Sequence, residues 1–161
     1  VKGLNRDVTI RDIVSTYIYP NTLKTLCVTR AQLKCALERS AEYFAIDADG
    51  KLKVSESFLT PIEQHFNYDY FSGIEAAFDI RRSVGDRVVS IKYKGEELSG
   101  DKRLTLCMNN YRASGAGGYD VYRQCQTVRE LPTEIAELII AYVDKHRNIT
   151  VDKHKWLNVI Y

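Results

Sequence analysis

Residues 109–119 read Asn-Asn-Tyr-Arg-Ala-Ser-Gly-Ala-Gly-Gly-Tyr, and no other stretch constrains the fold as much. The apolar run before it, Arg103-Leu104-Thr105-Leu106-Cys107-Met108, has the pattern of a buried strand. The loop therefore leaves the end of a sheet with its main-chain groups exposed. Glycine at 115, 117 and 118 opens φ values closed to other residues and lets a ligand reach backbone without a Cβ in the way. Taken alone, a glycine-dense stretch reads as a turn.

In chain order, Thr9-Ile10-Arg11-Asp12 matches a capping pattern and predicts a short helix from Ile10 to about Tyr17, stopped by Pro20-Asn21. Leu23 to Val28 alternates as a strand. Thr29 then caps an amphipathic helix from about Ala31 to Phe44, with Leu33, Ala36, Leu37, Ser40, Ala41 and Phe44 at helical spacing. Asp47-Ala48-Asp49-Gly50 has the start of a calcium loop, but Lys51 and Lys53 stand where oxygen ligands are needed, so it reads as a turn. Residues 51–69 read as irregular, and Phe58, His65, Phe66, Tyr68, Tyr70 and Phe71 share no single period, which predicts a partly exposed aromatic surface. Gly73–Ile80 and Arg87–Tyr93 predict a hairpin around Ser83-Val84-Gly85-Asp86, and Leu104–Met108 a further strand. Thr133 predicts the cap of a helix from Glu134 to about His146, and Trp156–Ile160 a closing strand. Together these elements predict one α+β domain over residues 1–161, with a mixed sheet and two main helices.

A chain of 161 residues can bury one core without metal or disulfide. Its 23 basic and 21 acidic residues leave a net charge of +2, with no Lys/Arg run to favour a nucleic-acid polymer. No apolar run reaches membrane-spanning length. Cys27, Cys35, Cys107 and Cys125 form no C-x-x-C pair and no zinc spacing with His65, His146 or His154, so they read as small buried apolar residues. The opening Val1-Lys2-Gly3 lacks an initiator Met and reads as part of something longer.

Catalytic chemistry finds no candidates. There is no G-x-S-x-G nucleophile elbow and no H-x-H metal pair, and Gly118 is followed by Tyr119 where a phosphate-binding P-loop needs Lys. Binding is better served. Rings at Phe66 and Tyr68, with Tyr111 and Tyr119 on the distant loop, either converge as two faces around a flat group such as a nucleobase or belong to the core. Two stacked faces would supply at most ~6 kcal/mol, a dissociation constant of tens of micromolar.

Several motifs occur in a telling order: Thr9-Ile10-Arg11-Asp12, Pro20-Asn21-Thr22-Leu23, Val28-Thr29-Arg30-Ala31-Gln32-Leu33-Lys34-Cys35-Ala36-Leu37-Glu38-Arg39-Ser40, Gly85-Asp86-Arg87-Val88-Val89, and the loop from Asn109 to Tyr119. This series resembles the C-terminal, substrate-binding domain of the bacterial 5′-nucleotidase and 2′,3′-cyclic-nucleotide 2′-phosphodiesterase/3′-nucleotidase family. Phe66-Asn67-Tyr68-Asp69 and Asn109-Asn110-Tyr111-Arg112-Ala113 look most like the cyclic-phosphodiesterase branch, with a 5′-nucleotidase or UDP-sugar hydrolase as the alternative.

The resemblance implies a secreted, cell-wall attached or periplasmic parent whose N-terminal metallophosphoesterase domain holds two divalent metal ions and hydrolyses phosphoesters. The C-terminal domain would bind a nucleoside or nucleotide, hold no catalytic or metal residue, and be inactive alone. It further implies base stacking by Tyr119 and by Tyr68 or Phe66, polar contacts from Asn110, a ribose or phosphate contact from Arg112, and backbone approach at Gly117 and Gly118. Three departures stand out. The usual G-G-D-G is Gly115-Ala116-Gly117-Gly118, Arg39 replaces a common asparagine, and Cys125 stands near an acidic base contact. The rival reading is a non-catalytic interaction domain that no longer binds nucleotides.

Overall fold

The computed structural model describes residues 3–161, so the opening Val1-Lys2 lies outside the described residues. Helix α1 (Ile10–Thr16) starts in the expected capping box: Thr9 Oγ1 accepts from the Asp12 amide at 3.3 Å and Asp12 Oδ2 accepts from the Thr9 amide at 2.8 Å. Strand β1 (Thr22–Thr29) leads into helix α2 (Arg30–Ala41), where Thr29 and Gln32 form a second capping box. The helix ends three residues before Phe44, which instead opens a small hairpin of β2 (Phe44–Ile46) and β3 (Leu52–Val54) around the Asp47–Gly50 turn. Alternation over only three residues per strand left this hairpin illegible beforehand.

Strands β4 (Glu75–Asp79) and β5 (Val88–Tyr93) form the expected antiparallel pair. The short β6 (Glu96–Glu97) and the closing β9 (Leu157–Ile160) complete a four-stranded sheet in the order β6-β5-β4-β9, with β9 parallel to β4. A second sheet has the order β7-β1-β8, all antiparallel, from β7 (Arg103–Asn109) and β8 (Gln126–Glu134). Strand β8 has nine residues, yet every one is at least partly exposed, so it carries no apolar alternation to announce it. It also takes in Thr133 and Pro132. Helix α4 (Ile135–His146) therefore starts one residue later than expected, with Glu134 in place of Thr133 at the cap and no side-chain capping bond.

Between the two larger sheets, α2 supplies Leu33, Ala36, Leu37 and Ala41 to a core shared with Leu26 and Val28 of β1 and with Ala76 and Phe78 of β4. Truncating a buried leucine such as Leu37 to alanine costs ~2–5 kcal/mol. Glu38, on the same helix, is buried with its carboxylate accepting from the Arg87 and Val88 amides at 2.9 Å each, while Arg87 caps the end of α2 through the Ala41 and Phe44 carbonyls. These charged bonds pin α2 to the start of β5. The cysteines divide: Cys27 and Cys125 are half-buried, but Cys35 and Cys107 are exposed, so burial is not their common role. Cys107 alternates with Leu104, Leu106 and Met108 on β7, which turn to the core, and so faces out.

Candidate functional site

Strand β7 runs directly into a one-turn helix, α3 (Asn110–Ala113), because Asn109 caps it by accepting from the Arg112 amide at 2.6 Å. The glycine loop then wraps back over the segment 65–69. Arg112 is the hub of this arrangement, with only 5% of its surface exposed. Its Nη2 donates to the Phe66 carbonyl at 3.0 Å, and its Nη1 donates to the Ala116 carbonyl. Nε lies 2.8 Å from Asp69 Oδ2, an ion pair off the line of a hydrogen bond. The guanidinium stacks 4.4 Å from the centre of the Tyr119 ring. Burial pushes the Asp69 carboxyl up, against the opposing pull of Arg112.

The expectation that Tyr119 offers a free face to a base is not met. Its ring is 1% exposed, has Arg112 stacked over it, and lies parallel to Tyr122 at 5.7 Å. Its hydroxyl bonds Ser40 Oγ at 2.8 Å and accepts from the Asp69 amide at 3.1 Å. The ring that closes the glycine loop is thus a rivet joining α2, the loop and the 65–69 segment. Burial pushes its phenol up, as it does that of Tyr122.

Tyr68 is half-buried, tilted against Tyr43 at 4.6 Å and edge-on to Phe44 at 5.5 Å. Burial, with a smaller contribution from the neighbouring tyrosines, pushes its phenol up to about 12. Asn110 is likewise engaged, its Oδ1 accepting from the Thr22 amide at 3.1 Å. Gly117 takes φ +76°, and a Cβ there would lie 2.1 Å from Arg112 Nη1 and 2.4 Å from Asn67 Oδ1. At Gly118 a Cβ would meet Arg39 Nε at 2.6 Å, and Arg39 Nε donates to the Gly117 carbonyl at 3.0 Å. Both glycines are needed so that arginines can pack against the loop. Arg39, noted above as a departure, therefore braces it.

Two rings of the four remain free. Phe66 is 66% exposed and Tyr111 47% exposed. Both are tied to the hub, one through its carbonyl on Arg112 and the other with its ring 5.8 Å from the guanidinium. The hub also lines a cleft of about 490 Å³ between the exposed edge of β7 and residues 68–72, with Tyr68, Asp69, Tyr70 and Asn109 among its walls. Sequence reasoning paired the inner rings, Tyr68 with Tyr119, because aromatic type alone does not say which side of a loop a ring turns to. Tyr70 and Asn109 were missed as cleft residues for the same reason. Among the described residues, no three His, Cys, Asp or Glu side chains are grouped to hold a metal ion, so these residues do not fit a metal centre.

The chain is thus an α+β domain whose glycine loop is buttressed by arginines beside a cleft lined in part by tyrosines. The 5′-nucleotidase C-terminal domain family matches residues 2–124, and the chain belongs to that family. Among solved structures, it is 38% identical to a Staphylococcus aureus protein provisionally assigned as a 5′-nucleotidase, with a TM-score of 0.88 over 96% of this chain and 30% of that one. The fold is shared with the NAD nucleotidase of Haemophilus influenzae, at a TM-score of 0.72 and 19% identity over 95% of this chain and 26% of that one. Two proteins named 2′,3′-cyclic-nucleotide 2′-phosphodiesterase/3′-nucleotidase are also similar. The Haemophilus influenzae protein is 30% identical over 67% of this chain, and the Yersinia enterocolitica protein 26% identical over 89%. The chain spans 18% and 24% of the length of those two relatives.

Proposed function

We propose that the chain is the nucleoside- or nucleotide-binding domain of a longer phosphoric ester hydrolase of the nucleotidase and cyclic phosphodiesterase class. The observation that carries this reading is the buried Arg112 guanidinium, which lines a cleft large enough for a nucleoside and is joined to two residues with exposed rings, to Phe66 through its carbonyl and to Tyr111 through its ring. A base stacks on one or both rings, and the ribose reaches toward the cleft wall, where Asn109 and Asp69 offer polar groups. Arg112 acts as the frame that holds both rings, and Tyr119, Gly117 and Gly118 hold Arg112.

The similarity to two cyclic phosphodiesterase/3′-nucleotidases favours that branch for the parent enzyme. In this reading two divalent metal ions and the hydrolytic step belong to an N-terminal domain of the same parent, which works outside the cytoplasm. The isolated domain binds but does not hydrolyse: with added Mn²⁺ it turns over neither bis(p-nitrophenyl) phosphate nor nucleotides, and metal-dependent turnover by the pure chain contradicts the proposal. Calorimetric titration with adenosine and 3′-AMP tests the site. Phe66→Ala or Tyr111→Ala weakens binding by ~1–3 kcal/mol, and unchanged affinity in both variants rejects the ring pair.

A further inference from the structure

We propose a second site, for a compact tetrahedral oxyanion such as phosphate, on the surface formed by α2, β5 and the turn before β5. A concave pocket of about 240 Å³ opens there between Arg30 and Lys34, Arg82 and Asp86, and the floor made by β5 residues such as Ser90. None of these residues belongs to the ring pair, the glycine loop or the cleft, so the inference is independent of the nucleoside reading.

Three cations face one solvent-exposed carboxylate. Arg30 and Lys34 lie one helical turn apart on the same face of α2. Arg30 is held in place by Nε donating to the Leu98 carbonyl at 2.6 Å, and its terminal nitrogens have no protein partner among the described residues. Lys34 Nζ is 4.0 Å from Asp86 and 3.9 Å from Glu38, whose two oxygens are already occupied by backbone amides. Arg82 stands 3.4 Å from Asp86 and 3.7 Å from Asp79. Charge-assisted bonds close to about 2.7–2.9 Å when they form fully, so none of the ion pairs of Lys34 and Arg82 is closed. Asp86 sits between Lys34 and Arg82 and touches both at arm's length, standing where a bound anion would place its oxygens. An incoming oxyanion with three or four acceptor oxygens can satisfy three cations at once, which one carboxylate at these distances does not.

The ligand chemistry is therefore a small dianion, either free or as a terminal phosphomonoester, bound in competition with Asp86. The test titrates the purified chain with inorganic phosphate at low ionic strength, read by calorimetry and by the arginine Nε–H resonances. The Arg30 and Arg82 signals shift saturably. Lys34→Gln combined with Arg82→Gln weakens phosphate binding roughly tenfold or more, while Asp86→Asn strengthens it several-fold and Lys51→Gln, a cation outside the pocket, leaves it unchanged. A gain of affinity in Asp86→Asn cannot come from a damaged fold. Glycerol phosphate in place of inorganic phosphate separates the two sources, a monoester site binding the ester more tightly and a free-anion site the reverse. The proposal is overturned if Asp86→Asn gives no gain, if Lys51→Gln weakens binding as much as the double variant, or if chloride at matched ionic strength displaces phosphate completely.

Discussion

Replacing Gly117 by alanine tests whether the glycine loop is a brace for Arg112. Two costs add at this position. The left-handed φ of +76° penalises any residue with a Cβ by ~1–2 kcal/mol. The new methyl group would also stand 2.1 Å from Arg112 Nη1 and 2.4 Å from Asn67 Oδ1, so one or both must move. Arg112 cannot swing to solvent cheaply, since its guanidinium is buried between Tyr119, Asp69 and the carbonyls of Phe66 and Ala116. Displacing such a buried charged donor from its acceptors costs at least ~2 kcal/mol. The sum is ~3–5 kcal/mol. With a urea m-value of ~2 kcal/mol/M, the midpoint falls by ~1.5–2.5 M.

Gly50→Ala is the control, because Gly50 has nearly the same φ, +78°, but nothing within 4 Å of the added carbon. It reports the backbone cost alone, a midpoint shift of under ~1 M. Equilibrium urea unfolding by circular dichroism measures both variants. If Gly117→Ala shifts the midpoint no further than Gly50→Ala, Arg112 is not held by the loop and the account of the site fails.

Other expectations follow from the same contacts. Tyr119→Phe keeps the stacking on Tyr122 but removes the hydroxyl that serves Ser40 and the Asp69 amide, so stability falls by ~1–3 kcal/mol in urea unfolding. Nucleoside affinity in the same variant stays within about twofold, because the aromatic face itself is retained. Arg81 holds the Asp79 carboxyl well below its usual range, at about 2, by hydrogen bonding. A depressed carboxyl contributes stability above its unfolded value near 3.8 and loses it as pH falls toward 2. Thermal melts of Asp79→Asn should accordingly lose part of the acid dependence between about pH 4 and 2, and an unaltered pH profile contradicts that assignment.

The elements most legible in the sequence were those with strong periodic or capping signals. Thr9 and Thr29 each announced a helix start, and Leu33, Ala36, Leu37 and Ala41 recurred at the spacing that the core of α2 uses. Strand β8 was missed because it lies at a sheet edge with no buried face, leaving no alternation for a reader to find. The short hairpin of β2 and β3 fell below the length at which periodicity speaks. In the site, the residues gathered around the loop were legible but their roles were not. Tyr68, Tyr119, Asn110 and Arg112 do converge on the glycine loop and the 65–72 segment. Asn110, Arg112 and Tyr119 spend their side-chain polar groups on the backbone, Ser40 and Asp69, and only burial shows that the ring at 119 turns inward while its neighbours at 66 and 111 turn out.

The most direct test of the central claim is an aromatic ¹H–¹³C NMR titration of the intact chain with adenosine and with 3′-AMP. Saturable shifts confined to the rings of Phe66 and Tyr111, with the Tyr119 resonances unmoved, are the predicted result. If no ring shifts saturably with either ligand, the domain does not bind nucleosides and is an interaction module that has kept only the fold. If Tyr119 shifts in their place, the loop opens to expose its inner ring and the outward pair is not the site.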